Sequence, residues 1–245
     1  MCGRYFVTTP PETLAQIFGF VNQPNFPPRY NIAPSQPISI IRPGRPSQEG
    51  LECVLVRWGL IPGWAKEPPK SLLSNARAET VSEKASFKGA VRHRRCLVPA
   101  DGFYEWQARA PGKGKGPKQP YCIRLRTREP FAMAGIWEDW LGADGSEVDT
   151  CAIITTSANE TLAPLHHRMP VILTPDLYEP WLDTRETKLA DALAMLKPLE
   201  EGLLEAYPVS DRVNRVANDD PGLLEPVAPM TEEPDAPASG QFSLF

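Results

Sequence analysis

YCIRLRTREPFAMAGI, residues 121–136, holds two strand signals almost back to back. In Tyr121 to Arg126, Tyr121, Ile123 and Leu125 alternate with Arg124 and Arg126, as a half-buried strand requires. Phe131 to Ile136 is the second. Outward from this pair the signal recurs at Arg95 to Pro99, Cys151 to Thr156 and Val171 to Leu173. Leu51 to Arg57 is a further candidate, followed by the aromatic loop WGLIPGWAKEPP. Helices are fewer. Thr9 is expected to cap one that has Pro10 and Pro11 in its first turn and Leu14, Ile17 and Phe18 on its apolar face. Ser82 to Val91 is expected to form another, with Phe87 and Val91 inward. Asp183 and Glu186 resemble a capping box before a third, which carries Leu189, Leu193 and Leu196 and is ended by Pro198. The proline-rich residues 21–38 read as an extended loop, and PGKGKGPK at 111–118 as a flexible hairpin-type loop. Short strands among few, non-alternating helices indicate one α+β domain with a mainly antiparallel, barrel-like β core and peripheral helices.

Composition sets the outer bounds. The chain has 245 residues, 42% hydrophobic and 23% charged, as ordinary globular proteins do. Its 28 prolines favour loops over long helices. No apolar run approaches the roughly 20 residues that span a bilayer, and the N-terminus lacks the regions of a signal peptide. A soluble, cytoplasmic, nucleoid-associated monomer without membrane contact is expected. From Asp219 onward, proline, acidic and small residues dominate, so the domain is expected to span residues 2–218 and a disordered tail residues 219–245. The net charge of −4 is concentrated there: the tail has six acidic residues and no lysine or arginine. Between residues 77 and 95, Arg77, Lys84, Lys88, Arg92, Arg94 and Arg95 outnumber Glu79 and Glu83. That run suits phosphate binding but equally suits a solvated helix face.

Five cysteines, odd in number and without a C-x-x-C pair, argue against a disulfide framework and a structural zinc. Cys53, Cys96, Cys122 and Cys151 lie in strand-like runs, where a thiol is usually a small buried hydrophobe. Cys2 differs by position. Removal of Met1 would leave an α-amine and a thiol on adjacent carbons, both partly nucleophilic near neutrality. An aldehyde would meet the amine as an imine, and the thiol could then close a five-membered thiazolidine. No internal cysteine has that option. Taken alone, Cys2 reads more readily as an incidental residue near a frayed terminus.

MCGRY, RYNIAPSQ, WGLIPGWAK, SNARAET, RRCLVPADGFYEW, AGIWE and HHRMPVIL occur in this order from Cys2 to about Asn218. Together they resemble the SRAP family, the SOS response-associated peptidases. The resemblance implies crosslinking to abasic sites in single-stranded DNA through the N-terminal cysteine, on a single α+β domain with a positively charged channel. It implies four catalytic positions, Cys2, Asn75, Glu105 and His166. Asparagine can hydrogen-bond ring-opened sugar hydroxyls, and the glutamate can relieve the amine of its proton. The histidine can protonate the sugar ring oxygen and so open the hemiacetal. His166, two residues before the arginine of RMP, is selected over His167. Arg77 is placed on phosphate, its competing role being an ion pair with Glu79. Trp64, Trp106 and Pro34 are candidates for a channel wall that stacks bases, whereas Trp58 and Trp137 read as core. His93 looks like part of the basic surface.

No metal or organic cofactor is needed for this chemistry. A lyase activity by β-elimination and autocatalytic removal of Met1 are compatible with it. The alternatives are a cysteine peptidase, with Cys2 as nucleophile and His166 as base, and a DNA-binding module without chemistry. The last five residues, QFSLF, resemble the peptide by which bacterial proteins dock on the polymerase sliding clamp. Gln241, Leu244 and Phe245 would be the contacts.

Overall fold

The segments around Ile123 and Met133 are both strands, yet they enter different sheets. A computed structural model describes residues 2–44, 49–107 and 118–230. In chain order its elements are β1 (Tyr5–Val7), α1 (Pro11–Phe18), β2 (Arg29–Ile32), β3 (Pro37–Pro43), β4 (Leu51–Trp58) and β5 (Asn75–Arg77). Then come α2 (Lys88–His93), β6 (Arg95–Ala100), β7 (Gly102–Trp106), β8 (Pro120–Leu125), β9 (Phe131–Leu141) and β10 (Glu147–Ser157). The last are β11 (Arg168–Pro170), β12 (Ile172–Leu173), α3 (Tyr178–Leu182), α4 (Leu189–Ala194) and β13 (Leu204–Pro208).

Strand β8 belongs to an antiparallel sheet of order β13-β8-β7-β1-β2. Strand β9 belongs to a ring: β10 pairs with β4, β4 with β3, β3 with β6, β6 with β9, and β9 with β10 again. Only the β10–β4 pairing in this closed barrel is parallel. Strands β5 and β11 add to the far end of β10, and β12 adds to β9. The α+β fold with a barrel-like, mainly antiparallel core is therefore the one adopted.

Phe131 to Ile136 is apolar at every position because β9 is covered on both sides there; beyond Trp137 burial alternates as one face returns to solvent. Gly135 is required inside the barrel. A Cβ there would lie 2.7 Å from Cys96 Sγ and 2.9 Å from Val98 Cγ2. The alternation in β8 is weaker than expected, with Cys122 and Ile123 both buried. Ile123 faces the barrel core, while Cys122 packs with Tyr104, Val209, Val213 and Leu223 on the outer side.

That outer cover corrects the expected tail boundary. Asp219 accepts from Arg29 Nε and from the Tyr30 amide, both at 2.5 Å. Leu223 is buried, the Val227 amide donates to the Pro208 carbonyl at 3.0 Å, and that of Met230 to Gln119 Oε1 at 2.8 Å. One well-placed leucine and the Asp219 carboxylate anchor a stretch whose average composition suggested no anchor. Residues 231–245, with Gln241, Leu244 and Phe245, lie outside the described residues, as does most of 111–118.

Other local expectations shift for identifiable reasons. Thr9 does not cap α1; the amides and hydroxyls of Thr8 and Thr9 all donate to the Asp101 carboxylate, and Ile17 is exposed. Helix α2 begins at Lys88, preceded by turns rather than helix. Asp183 Oδ1 accepts from the amides of Arg185 and Glu186 in the turn after α3, and α4 starts only at Leu189. Part of the 21–38 loop is strand, namely β2 and the start of β3. No helix among the described residues is long and apolar enough to cross a membrane.

Candidate active site

Cys2 lies three residues before the start of β1, which is clamped between β2 and β7. In the chain that still begins with Met1 its side chain is fully buried, in the same cluster as Tyr5, Trp58 and Cys151. Asn75 opens β5 and is fixed by parallel pairing with Ile153 of β10. Its Nδ2 donates to the Cys2 carbonyl at 2.9 Å, while its Oδ1 is buried with no hydrogen-bond donor among the described residues. Glu105 sits near the end of β7, opposite Tyr121, and is only 3% exposed. It faces inward, not to solvent.

Burial raises the Glu105 carboxyl above the usual carboxylate range, against the pull of the positive amino terminus. Burial, and after it the Glu105 carboxylate, push the Cys2 thiol far above its ordinary value. At neutral pH the thiol is therefore protonated. His166 lies in the turn before β11, where the Arg168 amide donates to its Nδ1 at 3.0 Å. A neutral imidazole bound in this way carries its proton on Nε2. The Arg168 carbonyl, 3.2 Å from the same Nδ1, can accept once that nitrogen is protonated too. Burial, then the amino terminus, lower the proton affinity of His166. Glu105 is an electrostatic neighbour of the Cys2 thiol, and Asn75 bonds the Cys2 carbonyl directly. Cys2, Asn75 and Glu105 are thus brought together, and His166 stands two residues before β11, which like β5 pairs with β10.

The surrounding residues divide. Arg77 shares a face of β5 with Asn75 and is exposed. Glu79, its expected competitor, instead accepts from Arg168 Nη1 at 2.5 Å and Nη2 at 2.9 Å. No ion pair among the described residues involves Arg77. Trp106 is half-buried; its Nε1 donates to Asn214 Oδ1 at 2.8 Å, and the Arg4 guanidinium lies 5.8 Å from its ring centroid. Pro34 is half-buried in the turn between β2 and β3, where the Ser35 amide donates to the Trp58 carbonyl. Trp64 is 69% exposed and lines a separate cavity of about 410 Å³ with Lys88, Arg94 and Glu138.

Two expectations need correction. The basic run is partly internal: Arg95 is buried, donating to the carbonyls of Trp181 and Asp183 at 2.5 Å each, and Arg94 pairs with Glu138 at 2.7 Å. Arg77, Lys84, Lys88 and Arg92 remain outward. Trp58 is core, but Trp137 is not simply so. The Arg42 guanidinium stands 4.0 Å over its ring, held by Glu52 and Asp149, beside a cavity of about 540 Å³.

Sequence reasoning missed Arg4 and Asn31. Arg4 Nη1 donates to Asn31 Oδ1 and to the Val213 carbonyl, while Asn31 Nδ2 donates to the carbonyls of Val213, Arg215 and Asn218. The C-terminal turns thereby brace the segment that carries Cys2. Their signal was present in MCGRY and RYNIAPSQ, but no local pattern announces a partner some two hundred residues away. Among the described residues, no group of three or more His, Cys, Asp or Glu side chains is arranged to hold a metal.

Known proteins share this sequence and this fold. Residues 1–216 match the family described as SOS response associated peptidase (SRAP). The chain is 40% identical to "Abasic site processing protein YoqW" of Bacillus subtilis, over 92% of this chain and 99% of that one. It is 36% identical to "Abasic site processing protein HMCES" of Gallus gallus, over 92% of this chain and 74% of that one. A crystal structure of a protein from Bacteroides thetaiotaomicron superposes with a TM-score of 0.81 at 28% identity, covering 93% of this chain and all of the other.

Proposed function

The chain belongs to the SOS response associated peptidase (SRAP) family, and on that footing we propose that it processes abasic sites in single-stranded DNA by covalent capture. The observation that carries the proposal is the hydrogen bond from Asn75 to the Cys2 carbonyl, with Glu105 electrostatically coupled to the Cys2 thiol beside it. Asn75 fixes the terminal residue, and its Oδ1, which has no donor among the described residues, can accept from a sugar hydroxyl.

After Met1 is removed, Glu105 takes a proton from the terminal ammonium, and His166 protonates the ring oxygen of the closed sugar to release its aldehyde. The amine adds to the carbonyl carbon, and the carbinolamine loses one water to give an imine. The thiol then adds across the C=N bond, its proton passing to nitrogen, and closes the thiazolidine. One water leaves in total. With a protonated, buried thiol the amine reacts first, so the imine precedes the ring. Slow ring closure would leave time for β-elimination at the imine, a lyase side reaction.

A peptidase reading requires a thiolate nucleophile, which burial and the Glu105 charge oppose here. Arg77, with Glu79 engaged elsewhere, is assigned to phosphate, and Trp64, Trp106 and Pro34 to stacking along the strand. The terminal QFSLF is assigned to the sliding clamp. The test is direct: protein mixed with single-stranded DNA bearing an abasic site should give a band that survives denaturing electrophoresis. It should be absent with undamaged DNA and lost in Cys2→Ala. Reversible, salt-sensitive binding alone would contradict covalent capture.

A further inference from the structure

His167 takes no part in the proton transfers assigned to its neighbour. Its exposed ring stacks on that of His166, with centroids 4.4 Å apart and 25° between the planes. The Arg168 amide fixes the edge of the inner ring at Nδ1, and His167 covers one of its faces. An imidazole turns easily about its last torsion, so an edge restraint and a face restraint together define its plane far better than either alone. The charged or polar groups acting on His166 include the amino terminus, the Arg168 backbone, His167 and Lys118. Of these, His167 is the one in ring contact.

We propose that His167 is a positioning residue for His166: it forms the outer wall of the stacked pair, holds the inner ring in plane, and by its own charge opposes a second proton on it. The proposal rests on the role assigned to His166. Two imidazolium rings at 4.4 Å would repel each other, so a charge on the outer ring disfavours a second proton on the inner one. The direction agrees with the lowered proton affinity of His166, to which His167 contributes after burial and the amino terminus.

The chain has three histidines, which keeps the imidazole spectrum simple. His166 would be titrated by NMR in the full-length protein and in two variants: His167→Phe keeps a stacked ring without charge, and His167→Ala removes both. Its titration midpoint should rise by about half to one pH unit in each variant. Crosslinking at neutral pH should slow by about 3- to 10-fold in His167→Ala and recover in His167→Phe, because the wall matters there and the charge does not. An unmoved His166 midpoint in both variants, or equal rates in His167→Ala and the parent, would overturn the proposal even if His166→Ala abolishes crosslinking. Full-rate crosslinking by His166→Ala would instead remove the catalytic assignment beneath it.

Discussion

The side-chain amide of Asn75 donates to the backbone carbonyl of Cys2 at 2.9 Å, across 73 residues of sequence, while the oxygen of the same amide is buried with no donor among the described residues. One side chain thus restrains the terminal residue and offers an acceptor to whatever enters beside it. Asn75→Ala should slow single-turnover crosslinking by about 10-fold, the loss of roughly one net hydrogen bond with its positioning. Asn75→Asp should be worse, since it sets a carboxylate against the Cys2 carbonyl. Equal rates for all three proteins would show that the bond is incidental.

Glu105 separates activity from stability. Its folded carboxyl holds a proton to higher pH than an unfolded one, so its contribution to stability is present in acid and is lost as pH rises through the folded value. Glu105→Gln should therefore leave the thermal midpoint at neutral pH unchanged or higher. The crosslinking rate should fall by about 100-fold if the carboxylate is the base. For the same reason the parent's rate should drop as pH is lowered through a value above the ordinary carboxylate range. A rate independent of pH from 4 to 7 would argue against that role.

Arg77 is exposed and outside any described ion pair. Arg77→Glu should weaken binding to undamaged single strands. The slope of log affinity against log salt should become shallower by about 0.7 for each phosphate that is no longer neutralised. The crosslinking rate at saturating DNA should change less than the affinity. Fluorescence anisotropy at several salt concentrations checks both.

Much of this was legible in the residues, and the failures have a common cause. Strands β6, β9 and β10 were visible because continuous apolar runs of strand length have few other uses. The pairing that closes the barrel was not, because β4 and β10 meet as parallel strands, Arg57 opposite Thr150, from distant parts of the chain. The same limit hid Asp101, which takes the donors expected to cap α1, and Arg4, whose partners are Asn31 and Val213. Cys2 stood out by position and His166 by its spacing from Arg168, both local features. The inward turn of Glu105 became visible only with β8 in place beside it.

Asp101 offers a stability check away from the chemistry. Its carboxylate accepts from the backbone amides and hydroxyls of Thr8 and Thr9. Asp101→Ala should destabilise the protein by about 3 kcal/mol, because two amides in a part-buried turn lose a charged acceptor. Denaturant titration with an unchanged slope and a lower midpoint is the expected result.

Deleting residues 241–245 should abolish capture of the protein on an immobilised bacterial sliding clamp and leave the crosslinking rate to free oligonucleotide as it was. Clamp capture that survives the deletion, or fails with the intact chain, removes this assignment without touching the rest.

Intact mass of the protein–DNA adduct reaches the centre of the account. The predicted species is the chain without Met1 plus the abasic oligonucleotide less one water, and borohydride leaves its mass unchanged because a closed thiazolidine has no C=N bond to reduce. Cys2→Ser should give an adduct only when borohydride is present, two hydrogens heavier. An adduct on a chain that still carries Met1, or on one acetylated at its terminus, would contradict the mechanism outright.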